Sequence, residues 1–251
     1  YGISATLFLY CSPRQLFWVG VACLFGYWGL MTLVPVPGAA APNLEPSTNL
    51  GAWLDRTLLN GHLWVQSKTW DPEGLLSTLP AVATGISGIF TGLWLRKPND
   101  GYEKAAGLLA IGVVLLALGC IWDLAFPINK KIWTSSYVLY TSGVALLFLG
   151  LVYWLVDLKR STWWTKPFVI YGTNALFVFV LSGLVAKLMY LIKWTNAAGE
   201  EISLKSWIWN NLYEPAFTSV KMASLAFAIT NVLFFLFLSW ILYRKKIFIK
   251  V

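Results

Sequence analysis

The segment from Trp122 to Val138 places two lysines, an asparagine, a proline and two tryptophans between two strongly apolar runs. Polar side chains at such a position lose solvation and must be paired with a protein group or a ligand. Lys130 and Lys131 lie beside Asn129, and Asp123 precedes them at the end of the first apolar run. A lysine at a membrane edge commonly extends to the headgroups and is neutralised by a nearby aspartate, which is the alternative to a functional role.

Three further ionisable residues lie upstream, before another apolar run. His62 is the sole histidine, and histidine is the side chain that accepts a proton near neutral pH, although an exposed loop histidine needs no function. Asp71 and Glu73 precede the run that begins at Leu75. Carboxylates at a helix start are favoured by its free N–H groups. They also accept hydrogen bonds from sugar hydroxyls and attract ammonium, so ligand binding is the second interpretation.

Asn174 lies within an apolar run, at a depth where an amide needs a hydrogen-bond partner. The partner is either a neighbouring helix or a ligand in a cavity. Asn231 is likewise surrounded by apolar residues, in the last run. For both amides the sequence leaves the two interpretations open.

The composition sets the class of protein that holds these residues. Hydrophobic residues make up 58% of the 251 and charged residues 12%, whereas soluble domains carry about 25% charged residues. Because a helix needs about 20 apolar residues to span the hydrocarbon core, we predict an all-α polytopic membrane helix bundle. Its spans are expected near residues 16–36, 75–95, 105–125, 135–156, 167–191 and 217–243, with part of another in residues 1–10.

The whole chain, residues 1–251, is predicted to be a single transmembrane domain that starts inside a helix of a longer protein. Residues 37–74 are predicted to form an outer loop with an interfacial helix, in which Leu50, Trp53, Leu54, Leu58 and Leu59 share one face. Residues 195–215 are predicted to form a second outer amphipathic segment. In the second span, small residues at helical spacing predict close helix packing: Ala81, Gly85, Gly88 and Gly92.

The formal charge of +8 is spread over the loops, which argues against a nucleic-acid partner and for contacts with anionic lipid headgroups. Lysine and arginine are more numerous on the side of the C-terminus, so we predict that this end is cytoplasmic. Three cysteines without CxxC spacing predict free thiols, and one histidine with three cysteines is too few for a metal site. No soluble-enzyme signature such as GxSxG or a Walker loop is present.

Three ordered motifs carry a resemblance. They are Asp55-Arg56 followed by Asn60-Gly61-His62-Leu63-Trp64, the run from Trp70 to Pro80 (WDPEGLLSTLP), and the run from Pro127 to Ser136 (PINKKIWTSS). Together with Gly172-Thr173-Asn174-Ala175, they resemble the C-terminal part of the heparan-α-glucosaminide N-acetyltransferase family and its bacterial homologues. The family's N-terminal part, which holds its catalytic histidine, has no counterpart here, so no catalytic residue is assigned.

The resemblance implies transfer of an acetyl group from cytoplasmic acetyl-CoA, as co-substrate, to the amine of an amino sugar across the membrane. The short, compact loops lead us to expect a bacterial inner membrane. The resemblance does not decide whether the protein acts as a monomer or as a homodimer. Substrate-binding residues would be His62, Asp71, Glu73, Asn129, Lys130, Trp133, Thr134 and Asn174. Cations for the CoA phosphates would be Arg96, Lys97, Lys104, Lys159 and Arg160, which positive-inside topology also explains. The alternative is an amino-sugar or oligosaccharide permease without acyl transfer.

Overall fold

The computed structural model describes residues 1–195 and 199–249. The predicted all-α polytopic architecture is confirmed, because the strands within the described residues are only three residues long. The chain divides into two compact units, Tyr1–Arg160 and Ser161–Val251.

The first unit is entirely helical between its loops. Its helices are α1 (Gly2–Tyr10), α2 (Pro13–Leu33), α3 (Leu50–Leu58), α4 (Thr78–Arg96), α5 (Gly101–Asp123) and α6 (Ser135–Tyr153), which continues as a π-helical turn (Trp154–Leu158).

The second unit combines helices with a short hairpin. Its elements are α7 (Lys166–Thr173), α8 (Ala175–Leu191), antiparallel strands β1 (Lys193–Thr195) and β2 (Glu201–Ser203), α9 (Leu204–Ile208) with a π-helical turn (Trp209–Tyr213), and α10 (Val220–Arg244). Residues 196–198 of the predicted amphipathic segment 195–215 lie outside the described residues. Among its described residues, that segment is helical only from Leu204 onward.

Local sequence signals set where several helices of the first unit begin. Ser12 and Gln15 form a reciprocal capping box at the start of α2, and Pro13 occupies the first turn, where its missing N–H costs nothing. At the starts of α3, α5 and α6 a side-chain oxygen accepts a hydrogen bond from a backbone N–H of the first turn, and the capping residues are Asn49, Asp100 and Thr134.

Within the part of the chain that the structure describes, five helices are long and apolar enough to cross a membrane, namely α2, α4, α5, α6 with its π-helical turn, and α10. A sixth crossing results if α7 and α8 together form one broken span. The chain is therefore an integral, multi-pass membrane protein.

The predicted continuous helix at residues 167–191 is wrong, since α7 and α8 meet at an angle of 77°. Asn174 lies at the break with φ −131° and ψ 36°. Its Nδ2 donates to the Ile247 carbonyl (3.2 Å) and its Oδ1 accepts from the Ile249 N–H (3.0 Å). The buried amide thus takes its partners from the chain that follows α10.

Asn231, for which the sequence left a neighbouring helix or a ligand as the partner, is bonded within its own helix. Its Nδ2 donates to the carbonyl of Phe227 in the same helix, at 2.7 Å. The amide is therefore paired within α10.

Close helix packing in the first unit occurs between α5 and α6. A Cβ on Gly143 would lie 2.5 Å from the Leu116 nitrogen and 2.7 Å from the Gly112 oxygen, so only glycine allows this approach. On α4, by contrast, Gly85 meets Ser4 of α1, whereas Gly88 and Gly92 have no described heavy atom within 4 Å of a Cβ position. The predicted small-residue face of α4 is thus used only in part within this unit.

The helix predicted within residues 37–74 is present as α3. The face of α3 that packs against the rest of the protein is not the apolar face predicted from the sequence. Ala52 and Asp55 are buried, whereas Leu58 of the predicted apolar face is 62% exposed. The protein interior therefore receives a carboxylate from this helix.

We expect Gly143→Ala to destabilise the protein by about 1–3 kcal/mol, because the methyl group collides with backbone atoms that cannot move cheaply. Gly88→Ala is the matched control, and its open surroundings together with the higher helix propensity of alanine predict no loss. Thermal unfolding in detergent measures both. Equal loss in the two variants would contradict the α5–α6 contact.

Candidate functional site

The candidate site lies at the end of the first unit where α2 and α5 end and α4 and α6 begin. Two loops meet there, residues 34–77 and 124–134. Tyr27, Met31, Phe126 and Ile132 form a buried cluster beneath them. The Tyr27 hydroxyl donates to the Ile132 carbonyl at 2.5 Å, which ties the second loop to α2.

Hydroxyl groups at the start of α6 fix the second loop. Thr134 Oγ1 donates to the Pro127 carbonyl (2.9 Å) and caps the helix. Ser136 Oγ donates to the Phe126 carbonyl (2.5 Å), and Ser135 Oγ donates to the Leu24 carbonyl of α2 (2.7 Å). All three hydroxyl residues are fully buried, so this loop is held by an internal network.

The first loop is held mainly by side chain to backbone bonds. Arg56 Nη1 donates to the carbonyls of Ser47 (2.6 Å) and Thr69 (2.7 Å), which draws two distant parts of the loop together. Both oxygens of Asp71 accept backbone N–H groups, Oδ1 from Glu73 (2.9 Å) and Oδ2 from Trp64 (3.1 Å).

Asp55 carries the most deeply buried carboxylate of the site, with 2% of the residue exposed. Its Oδ1 accepts from the Leu75 N–H at 2.9 Å, and its carboxylate lies directly against Gly74. A Cβ on Gly74 would overlap the carboxylate oxygens. Glycine in the Asp-Pro-Glu-Gly motif therefore makes room for the carboxylate supplied by α3.

Burial raises the pKa of Asp55 above the usual range of an aspartate, because the ionised form loses hydration. The hydrogen bond from Leu75 lowers the pKa, Asp71 raises it, and Arg56 lowers it, but none of these effects exceeds that of burial.

A cavity of about 20 Å³ opens beside Asp55. This volume is enough for about one water-sized group. The cavity is lined by groups of both charges and by aromatic rings, from the two loops and from α2 and α3: Tyr27, Pro46, Asn49, Gly51, Ala52, Asp55, Trp70, Asp71, Ser77, Lys131 and Ile132.

Of the substrate-binding residues predicted from the sequence, Asp71 is the one that lines this cavity. His62, Glu73 and Lys130 are exposed, in the same two loops but not in the cavity lining. The predicted residues therefore share one end of the unit without converging on one point.

Three other predicted residues have structural partners. Asn129 Oδ1 accepts from the Lys131 N–H (2.9 Å), and the Thr134 hydroxyl caps α6. Trp133 adopts φ +51° and its Nε1 donates to Thr84 Oγ1 of α4 at 3.2 Å. These residues shape the loop that presents Lys131. Asn174 belongs to the second unit, where its amide is paired as described above.

Sequence reasoning missed Asp55, Tyr27 and Lys131 as site residues. Two signals could have identified Asp55. It belongs to the Asp55-Arg56 motif, and it lies three residues after Ala52, on the same face of a short apolar helix. Lys131 was not separable from Lys130, because a loop has no periodicity that tells which of two exposed neighbours lines a cavity.

The cations predicted for CoA lie at the opposite end of the first unit, where α4 and α6 end and α5 begins. Trp94 Nε1 donates to the Lys104 carbonyl (3.1 Å), and the Lys97 ammonium lies 4.8 Å from the Trp94 ring centre. Lys159 lies 5.4 Å from the Trp154 ring centre, and Arg160 follows it. Arg96, Lys97, Lys159 and Arg160 are exposed. The 23 residues of α5 separate the two ends by about 35 Å.

No protein-family model matches the chain. The chain is 26% identical to human heparan-alpha-glucosaminide N-acetyltransferase over 151 residues, an alignment that covers 48% of this chain and 23% of that protein. The chain thus spans less than a quarter of the length of this relative. The match supports a weak relationship to that family.

We expect Asp55→Asn to stabilise the protein at neutral pH. The pKa of Asp55 is higher in the folded protein than in the unfolded chain. The protonated carboxyl therefore contributes its full stability at a pH below the unfolded-state pKa, and this contribution is lost as the pH rises through the folded-state pKa. The amide keeps the acceptor for Leu75 and removes the buried charge. The gain is measured as a higher unfolding temperature than that of the wild type. The gain should shrink at acidic pH, and a lower unfolding temperature at neutral pH would contradict it.

Asn174→Ala should lower the unfolding temperature, because it leaves the Ile247 carbonyl and the Ile249 N–H without partners, at a cost of about 1–3 kcal/mol. Asn231→Ala, whose amide bonds only within its own helix, is the control and should lose less. Loss of activity at unchanged stability in Asn174→Ala would instead favour the predicted substrate contact.

Proposed function

We propose that the protein is a membrane-embedded N-acetyltransferase that moves an acetyl group from cytoplasmic acetyl-CoA to the amine of an amino sugar on the opposite side of the membrane. One observation carries the proposal: the three motifs of the resemblance all contribute to, or directly support, one polar cavity at one end of the helices. The match to the human N-acetyltransferase supports the same class of reaction.

The chemistry of acetyl transfer fits the groups at this end. An amine must be neutral to attack a thioester carbonyl, and the oxyanion that develops needs hydrogen-bond donors or a positive charge. Asp55 and Asp71 offer carboxylates for the amine, and Lys131 offers a cation within the same lining. His62, Glu73 and Lys130 are exposed in the same two loops, and we propose that they contact the sugar ring outside the cavity.

The basic end of the first unit suits the other substrate. Arg96, Lys97, Lys159 and Arg160 are exposed there, and Lys104 lies beside Trp94. Phosphates of CoA pair with such cations by charge-assisted hydrogen bonds. The excess of positive charge also favours this end as the cytoplasmic one. We place the protein in a bacterial inner membrane with its C-terminus inside, either alone or as a homodimer.

The second candidate is a sugar permease, which the break between α7 and α8 favours, since broken helices form substrate sites in transporters. Such transporters carry a pair of broken helices in corresponding positions, and the described residues contain one bent pair. Uptake of amino sugar into proteoliposomes without acetyl-CoA would favour the permease.

The direct test uses full-length protein purified in detergent, supplied with acetyl-CoA and glucosamine. Mass spectrometry follows N-acetylglucosamine, and omission of either substrate gives the background. We expect product only with both substrates. No product from a folded preparation that binds CoA would contradict the proposal.

We expect Lys131→Met to lower kcat/KM for acetyl transfer by about 10- to 100-fold, because it removes the cation from the cavity lining. Lys68→Met is the control, since Lys68 is exposed in the first loop and absent from that lining. Steady-state kinetics of the two variants measures the difference. Equal activity of both variants and the wild type would remove Lys131 from the site.

A further inference from the structure

The Asp55 carboxylate has one satisfied oxygen and one free oxygen. Oδ1 accepts from the Leu75 N–H, whereas Oδ2 accepts no hydrogen bond from any described residue. The residue is 2% exposed and lines the cavity. Oδ2 also lies close to Gly74. A buried carboxylate normally has its lone pairs satisfied, so an unpartnered oxygen on a residue that lines a cavity offers a binding position for a donor.

The charged groups around Asp55 do not fill this position. Arg56 is its sequence neighbour, but its Nη1 bonds to the Ser47 and Thr69 carbonyls. Lys131 lines the same cavity, yet its ammonium forms no ion pair within 4.0 Å to Asp55 or Asp71.

The remaining polar neighbours are already engaged. The Asp71 oxygens accept N–H groups of Trp64 and Glu73, and the Tyr27 hydroxyl donates to Ile132. Asp55 is therefore a buried carboxylate without an ion pair within 4.0 Å among the described residues, and burying its charged form is costly unless a ligand supplies a close counter-ion.

Size and charge identify the ligand group. The cavity, about 20 Å³, admits one water-sized group and not a sugar ring. Its two carboxylates and one ammonium sum to one negative charge when all are ionised, which matches a single cation. A primary ammonium has this size and charge, and its three N–H groups suit an oxygen acceptor.

We propose that Asp55 binds the amine of the substrate in this cavity and accepts a proton from it, an inference that rests on the proposed acetyl transfer. The R–NH3⁺ group gives one proton to the Asp55 carboxylate and becomes R–NH2. The nitrogen lone pair then forms the C–N bond to the thioester carbon, and the C–S bond breaks. The second amine proton leaves with the sulfur as CoA thiol, and Asp55 later releases its proton to water.

The environment favours this proton transfer. Burial disfavours the ionised carboxylate and the ammonium alike, so moving the proton between them removes two charges from a poorly solvated site. The raised pKa of Asp55 acts in the same direction, since it makes the carboxylate a better proton acceptor. The hydrogen bond from Leu75 keeps the carboxylate oriented throughout.

The kinetic test compares Asp55→Asn with Glu45→Gln in the full-length protein. Both changes turn a carboxylate into an amide in or beside the first loop, but Glu45 is exposed. We expect Asp55→Asn to lose about 100-fold or more in kcat/KM, in the range of a lost proton acceptor. The acidic limb of the wild-type profile, where Asp55 becomes protonated, should disappear in this variant. Glu45→Gln should match the wild type in both respects.

A binding arm separates this inference from the acetyl-transfer proposal. Without acetyl-CoA, wild-type protein should bind glucosamine more tightly than glucose, and Asp55→Asn should abolish that preference. If the wild type forms product while Asp55→Asn retains its kcat/KM and its pH profile, the role of Asp55 is overturned and acetyl transfer stands. If no product forms but the amine preference depends on Asp55, amine binding stands and acetyl transfer falls. Unfolding temperature confirms that each variant is folded.

Discussion

The contact between the Asp55 carboxylate and the Gly74–Leu75 backbone is the interaction on which the site depends. It joins α3 to the start of α4 across the loop, and it keeps a charge in the protein interior. The same contact explains why the loop needs glycine at position 74. A buried charge of this kind costs stability, and such costs persist in proteins mainly where function uses them.

The two loops become one site because the helices beneath them are locked together. Tyr27 and Ser135 each bridge α2 to the chain around the start of α6, and glycines bring α5 against α6. Lipid provides no hydrophobic drive for helices to associate, so close packing and buried hydrogen bonds must supply it. The packing of these helices therefore holds the two loops in the positions that form the polar cavity.

The spans were predictable because their length and apolarity follow from bilayer thickness, and five of six are single helices near the expected bounds. The bend at Asn174 was not predictable, because the hydrogen-bond partners of its amide lie more than 70 residues away, at Ile247 and Ile249. In the site, Asp71 was found from its place before α4. The burial of Asp55 was missed, since it depends on how an irregular loop folds over α3.

The most direct measurement is a structure of the full-length protein in lipid with glucosamine bound. We predict that the amine nitrogen lies about 3 Å from Oδ2 of Asp55, inside the cavity beside Lys131. A structure in which the amine is bound elsewhere, with water alone at Asp55, would contradict the account.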